Sequence, residues 1–300
     1  MKKPIAWWIA PAASRGPFNT RDSTDRKTTK MKYQNITQSA LATAATVVAT
    51  AAVAEAKGAS DEASIEKAFE NLKTFDWGVD YKTYRELLGP IEDAVPATHG
   101  DAAARKELEV KLAAVLPTGA SRAAKDFVGR KLAIIGTAES VPALAALLPD
   151  RELSHMARYA LERIPAAEAG KALRDALATT NGGRKAGVIG SLGARRDTAC
   201  IAELAALVGD SNARIALAAA TALGDIGTAE SAKALQDAQP ATDPVKSRVA
   251  DARLTAAERL LAAGDKAAAQ AVYKSLVGST VKSVRLAATR GLLLASGKKE

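Results

Sequence analysis

Two histidines, a single cysteine, a serine beside a histidine and a glycine series are the groups in this 300-residue chain that could support chemistry. His99 stands next to Gly100 and His155 lies in the segment SHMARYALER (154–163). Neither has a second imidazole or thiol at a ligand spacing, and no His-Glu-x-x-His or Cys-x-x-Cys pattern occurs, so no metal, haem or other cofactor is expected. Cys200 sits in an apolar run with Ala199, Ile201 and Leu204. A lone cysteine there reads as a buried, inert thiol. Ser154-His155 lacks a placed acid and a strand-to-helix elbow, which leaves a serine hydrolase without support. Gly187, Gly190 and Gly193 follow no strand, whereas a dinucleotide cradle needs strand, turn and helix. Their expected role is close helix approach. Arg195-Arg196-Asp197 forms a basic turn that either meets a phosphate or is simply solvated. No catalytic residue is expected.

Binding is a different matter. His155, Arg158, Tyr159 and Glu162 share the polar side of one helix, with Arg158 and Glu162 spaced i, i+4. Inter-repeat packing and a ligand site are the two readings of that group. Phe69, Phe75, Trp77, Tyr81 and Tyr84 crowd one N-terminal region. They read as a cap sealing the first unit of an array, or as an aromatic platform for a partner.

The elements that carry these residues repeat. GTAES occurs at 136–140 and again at 227–231, each time after an isoleucine and before an Ala/Leu helix. Leu153, Met156, Ala157, Ala160, Leu161 and Ile164 mark one helical face. Glycines 136, 193, 227, 264 and 297 read as helix stops, 33 to 37 residues apart after a first gap of 57 that holds two repeats, a helix-pair period. Apolar residues make up 48% of the chain and aromatics only 4%, which suits many shallow Ala/Leu contacts. The expected fold is all-α: a right-handed α-solenoid of five to six helix pairs over 119–300, with an N-terminal helical cap over 57–118.

The segments RIALAAATALGDIG (214–227), RLAATRGLLL (285–294) and VPALAALL (141–148) resemble HEAT repeats, in particular the short bacterial, PBS-lyase-type form. The resemblance spans about residues 121–297. Pro165 in place of a stop glycine and a long first helix in the fifth repeat depart from the pattern. In such arrays second helices line the concave face. That implies a stripe over Ala145-Ala146, Arg174-Asp175, Ala205-Ala206, Gln236-Asp237 and Tyr273-Lys274, with Tyr273 as its strongest anchor. The resemblance implies a monomeric scaffold or adaptor for a protein or peptide. A nucleic-acid-binding array is the alternative, weakened by the few aromatics beyond residue 120. A lyase-type enzyme rests on fold analogy alone.

Five of the nine net positive charges lie in residues 1–56, so the body is only mildly basic. Residues 1–30 read as an unstructured leader and a possible over-extended gene start. From Met31 the layout is that of a secretory signal peptide over 31–56: Lys32, an Ala/Val/Thr segment, then small-residue sites at Ala52-Val53-Ala54 and Ala54-Glu55-Ala56. Export to the periplasm or medium is the expectation if translation starts at Met31; otherwise the chain is cytoplasmic.

Overall fold

Tertiary contacts gather the described residues from Ala63 onward into one compact unit. The computed structural model describes residues 61–297. The leader and the candidate signal segment lie outside the described residues. Among those described, all regular structure is helical. Helix α1 covers 61–74, followed by α2 (Tyr81–Ala97) and α3 (Ala102–Val115). Five pairs follow: α4 (Arg122–Ile135) with α5 (Val141–Ala145), α6 (Ser154–Arg163) with α7 (Ala167–Thr179), α8 (Gly182–Arg195) with α9 (Ile201–Leu207), α10 (Ala213–Ile226) with α11 (Ala229–Asp237), and α12 (Asp243–Ala262) with α13 (Lys266–Leu276). A last helix, α14 (Lys282–Ala295), packs on α12 and α13.

Local chemistry sets the boundaries. Asp80, Asp101, Ser121, Asn212 and Asp265 each accept backbone N–H groups in the first turn of the helix that follows. These bonds satisfy donors that a helix start leaves orphaned. In the second GTAES copy, Thr228 and Ser231 cap one another reciprocally. Gly227, Gly264 and Gly297 take left-handed φ values of 64°, 87° and 71° at helix ends, as expected of stop glycines.

The other two expected stops work differently. Gly136 is extended (φ −61°, ψ 145°), and a Cβ there would lie 2.4 Å from the Leu132 carbonyl oxygen and 2.8 Å from Ile164. Close approach therefore selects it. Gly193 lies inside α8, where a Cβ would come within 2.8 Å of Ala222 Cα on α10. The left-handed residue ending α8 is Arg196, at φ 55°.

First helices stack directly on one another in the order α4, α6, α8, α10, α12, and the second helices cover one side. The result is an α-solenoid. Its core runs without a break from Ala68 to Ala252 and continues as a second cluster to Ala295. Small residues set the first-helix spacing: Gly129 faces Met156, Gly193 faces Ala222 and Gly224 faces Ala252.

Side chains also tie neighbouring repeats through the ends of first helices. Arg105 donates to the Ile134 carbonyl (3.1 Å), Arg196 to that of Ile226 (3.2 Å), and Gln270 to that of Ala295 (3.0 Å). Arg195 donates to Leu161 (2.6 Å), Ile164 (2.5 Å) and Ala166 (3.1 Å). Most of these bonds reach carbonyls that a helix terminus leaves open, and those of Arg195 do so around Pro165, which stands in place of the stop glycine.

Candidate interaction surface

The basic turn at 195–197 is tied into its neighbours, with Arg195 and Asp197 half-buried and Arg196 still exposed. Both arginines are engaged with helix-end carbonyls, and Asp197 holds Arg174 in an ion pair. Cys200 is buried; burial first, then the nearby Asp197 and Glu203, push its thiol up to about 12. It donates to the Asp197 carbonyl at 3.1 Å and stays protonated at neutral pH.

The second-helix stripe comes apart residue by residue. Asp175 is neutralised by Lys171 at 2.6 Å and Asp237 by Lys233 at 2.7 Å, both on the surface. Arg174 is half-buried against Asp197, while Gln236 and Lys274 are exposed. Tyr273 is a correction. It is only 2% exposed, because its ring fills the notch left by Gly291, where a Cβ would lie 2.3 Å from the ring. Both Val272 and Tyr273 point inward at this step, so the register that buries one residue in the other repeats buries two here.

The first-helix candidates divide. Arg158 does not pair with Glu162 along its own helix. It crosses to the next repeat and donates to the Gly187 carbonyl at 3.1 Å, in space that only a glycine leaves open. Burial holds its guanidinium below the usual value, with Glu162 opposing. Glu162 instead accepts from Ser191 at 2.7 Å. His155 and Tyr159 remain on the surface, and the Arg163 guanidinium stacks 3.7 Å from the centre of the Tyr159 ring.

The N-terminal aromatics are brought together. Phe75, Tyr84 and Phe127 meet edge to face, with centroids 6.1 Å and 6.4 Å apart along the chain of rings. Beneath them, Glu92 accepts from Tyr84 (2.8 Å), Lys131 (2.5 Å) and Arg85 (3.4 Å). Burial works to raise the Glu92 pKa, but these three donors outweigh it, and the carboxyl titrates below its ordinary value. Burial and then Glu92 raise the Tyr84 phenol well above its own.

Above this base runs the loop 75–80. Ser121 donates to the Phe75 carbonyl, Asp76 accepts from the Trp77 amide at 2.8 Å, and Gly78 (φ 102°) turns the chain toward its Asp80 cap. Trp77 is 58% exposed, edge-on to Phe75 at 6.3 Å and 5.8 Å from the Arg130 guanidinium. Val79 and Tyr81, the latter 76% exposed, stand beside it in sequence. Three large apolar side chains thus face solvent from a short, braced segment. Such rigid, amphipathic rings give contact area at low entropic cost.

No group of three His, Cys, Asp or Glu residues suited to a metal ion occurs among the described residues. No described helix is long and apolar enough to cross a membrane.

Residues 181–252, from the start of α8 through the middle of α12, match the family model of HEAT repeats. No curated protein matches the chain.

Proposed function

We propose that this chain is a non-catalytic interaction scaffold that holds a protein or peptide, with the Trp77 loop as its principal anchor. HEAT repeats commonly serve as protein-interaction scaffolds, and the match at 181–252 supports that general role. The observation that carries the anchor is the exposure of Trp77, Val79 and Tyr81 on a loop braced by buried rings and ion pairs. An aromatic that is both exposed and held still is the arrangement expected of an interface hot spot. The exposed part of the second-helix stripe, Gln236 and Lys274 with the paired Asp175 and Asp237, is a separate polar surface that could add contacts to an extended partner. Export, if translation starts at Met31, would place the partner outside the cytoplasm.

The test is affinity capture on the immobilised chain, comparing wild type with Trp77→Ser plus Tyr81→Ser. A protein or peptide retained by the first and lost by the second, with affinity falling by about 2 kcal/mol or more, is the expected result. Identical capture by both would remove the anchor from this loop.

A further inference from the structure

The last described helix carries a second exposed apolar surface, distinct from the Trp77 loop. Burial sets its register against α10: Val284, Ala288, Gly291 and Ala295 are buried in α14 as Ile215, Ala219, Ala222 and Ile226 are in α10, and both helices are 14 residues long. In this register Gly224 corresponds to Leu293, Asp225 to Leu294 and Leu217 to Leu286. Gly224 and Asp225 are the positions by which α10 receives its neighbour. A Cβ on Gly224 would lie 2.8 Å from the Ala252 carbonyl oxygen of α12, and Asp225 pairs with Arg259 of α12 at 2.8 Å.

On α14 both positions are leucine. Leu293 is 43% exposed, with Leu286 and Leu294 exposed on the same side of α14 and Val281 exposed at its start. A leucine where the array uses glycine blocks the close approach of another helix in the array's own geometry. The apolar stripe needs a different occupant.

Charge says which. Asp225 is lost, and α14 contains Lys282, Arg285 and Arg290 but no acid. No Asp or Glu lies between Asp265 and Glu300, while Lys266 and Lys274 add positive charge on α13. Pairing with a second copy is disfavoured by the same pattern. A two-fold pairing of α14 through this stripe would bring the Lys282 and Arg285 charges of two copies together on helices that offer no acid.

We infer that the outer face of α14 docks an amphipathic helix of another protein, with leucine-type side chains on its contact face and Asp or Glu flanking them. The partner's apolar residues cover Leu286, Leu293 and Leu294, and its carboxylates meet the Lys282 and Arg285 side of the stripe.

The probes are two labelled synthetic helical peptides of about 15–20 residues, long enough to form helix on a surface. They share one leucine stripe and differ in flanking Glu or flanking Lys. Fluorescence anisotropy with the full chain should show the Glu peptide binding at least about tenfold tighter, with the advantage shrinking as salt rises. Leu286→Gln with Leu293→Gln should weaken that binding about tenfold or more at unchanged circular dichroism and melting temperature. Trp77→Ser should leave it intact, which separates this surface from the loop anchor. Equal binding of the two peptides, no binding of either, or full binding by the double variant would overturn the inference. Sedimentation with phosphatidylserine vesicles, lost in the double variant while neither peptide binds, would reassign the face to an anionic membrane.

Discussion

The aromatic end of the molecule and the middle of its repeat array bury helix faces by opposite means. Between α1 and α4, large rings fill the space: Phe69, Phe75 and Phe127 are buried, Tyr84 and Lys131 lie at the margin, and Glu92 gathers three donors. Between α8 and α12 the space itself has been removed, with Gly193 and Gly224 letting neighbouring first helices close up on Ala222 and Ala252. The first region is vulnerable to losing volume and charge, the second to gaining volume. Close packing in the repeats comes from what the side chains lack.

Core deletion should have the largest effect. Leu161 is fully buried on α6, between the two regions, and Leu161→Ala should destabilise by about 2–5 kcal/mol through transfer and cavity terms. Because the core is continuous, native-state hydrogen exchange should show lost protection in α4 and α8 as well as α6. Damage confined to α6 would break the picture of coupled repeats.

A glycine pair sharpens the comparison further. Gly224→Ala should cost about 1–3 kcal/mol, because the new Cβ meets backbone and must push α10 from α12. Gly190→Ala, in α8 with nothing within 4 Å of the new atom, should instead stabilise by about 0.5–1 kcal/mol through helix propensity. Thermal melts that move in the same direction for both would contradict the close-approach account.

The aromatic end should show a pH dependence of its own. Glu92 titrates below its ordinary value in the folded state, so its contribution is present above the unfolded carboxylate range and is lost as pH falls through the folded value. Glu92→Gln should therefore lower stability at neutral pH and flatten the acid limb of a denaturant-midpoint profile. An unchanged acid limb would mean that the carboxylate is idle. Smallest of all, Trp77→Ser should change stability by less than about 0.5 kcal/mol, since the indole stands largely in solvent. A larger loss would make Trp77 part of the core and not an anchor for a partner.

Much of this architecture was legible from periodicity. The face Met156, Ala157, Ala160, Leu161 is buried as spaced, and α10 begins and ends where RIALAAATALGDIG places it. What escaped was anything decided by a neighbour distant in sequence. Gly193 looks like Gly227, yet one is a contact and the other a left-handed turn; only the position of Ala222 separates them. Arg158 sits at a helical spacing from Glu162 but follows the opening at Gly187 instead. Tyr273 occupies a nominally outward position and turns inward because Gly291, on another helix, leaves a notch. The α14 surface was hidden for a related reason: Leu286, Leu293 and Leu294 look like core leucines until the buried face of that helix is known. Trp77 was visible as a type, but the bracing that holds it was not.

The Arg195–Asp197 turn has a mechanical consequence. It grips backward, through Arg195, on the end of α6, and forward, through Arg196, on the end of α10, while Asp197 clasps Arg174 of α7 and receives the Cys200 thiol. Three adjacent residues thus act as a rivet through several plates. Under tension applied at its two ends, the solenoid should not peel one helix pair at a time through this region. The stretch from α6 to α10 should resist together and yield in a single rupture, so a partner that strains the array would feel a stiff middle.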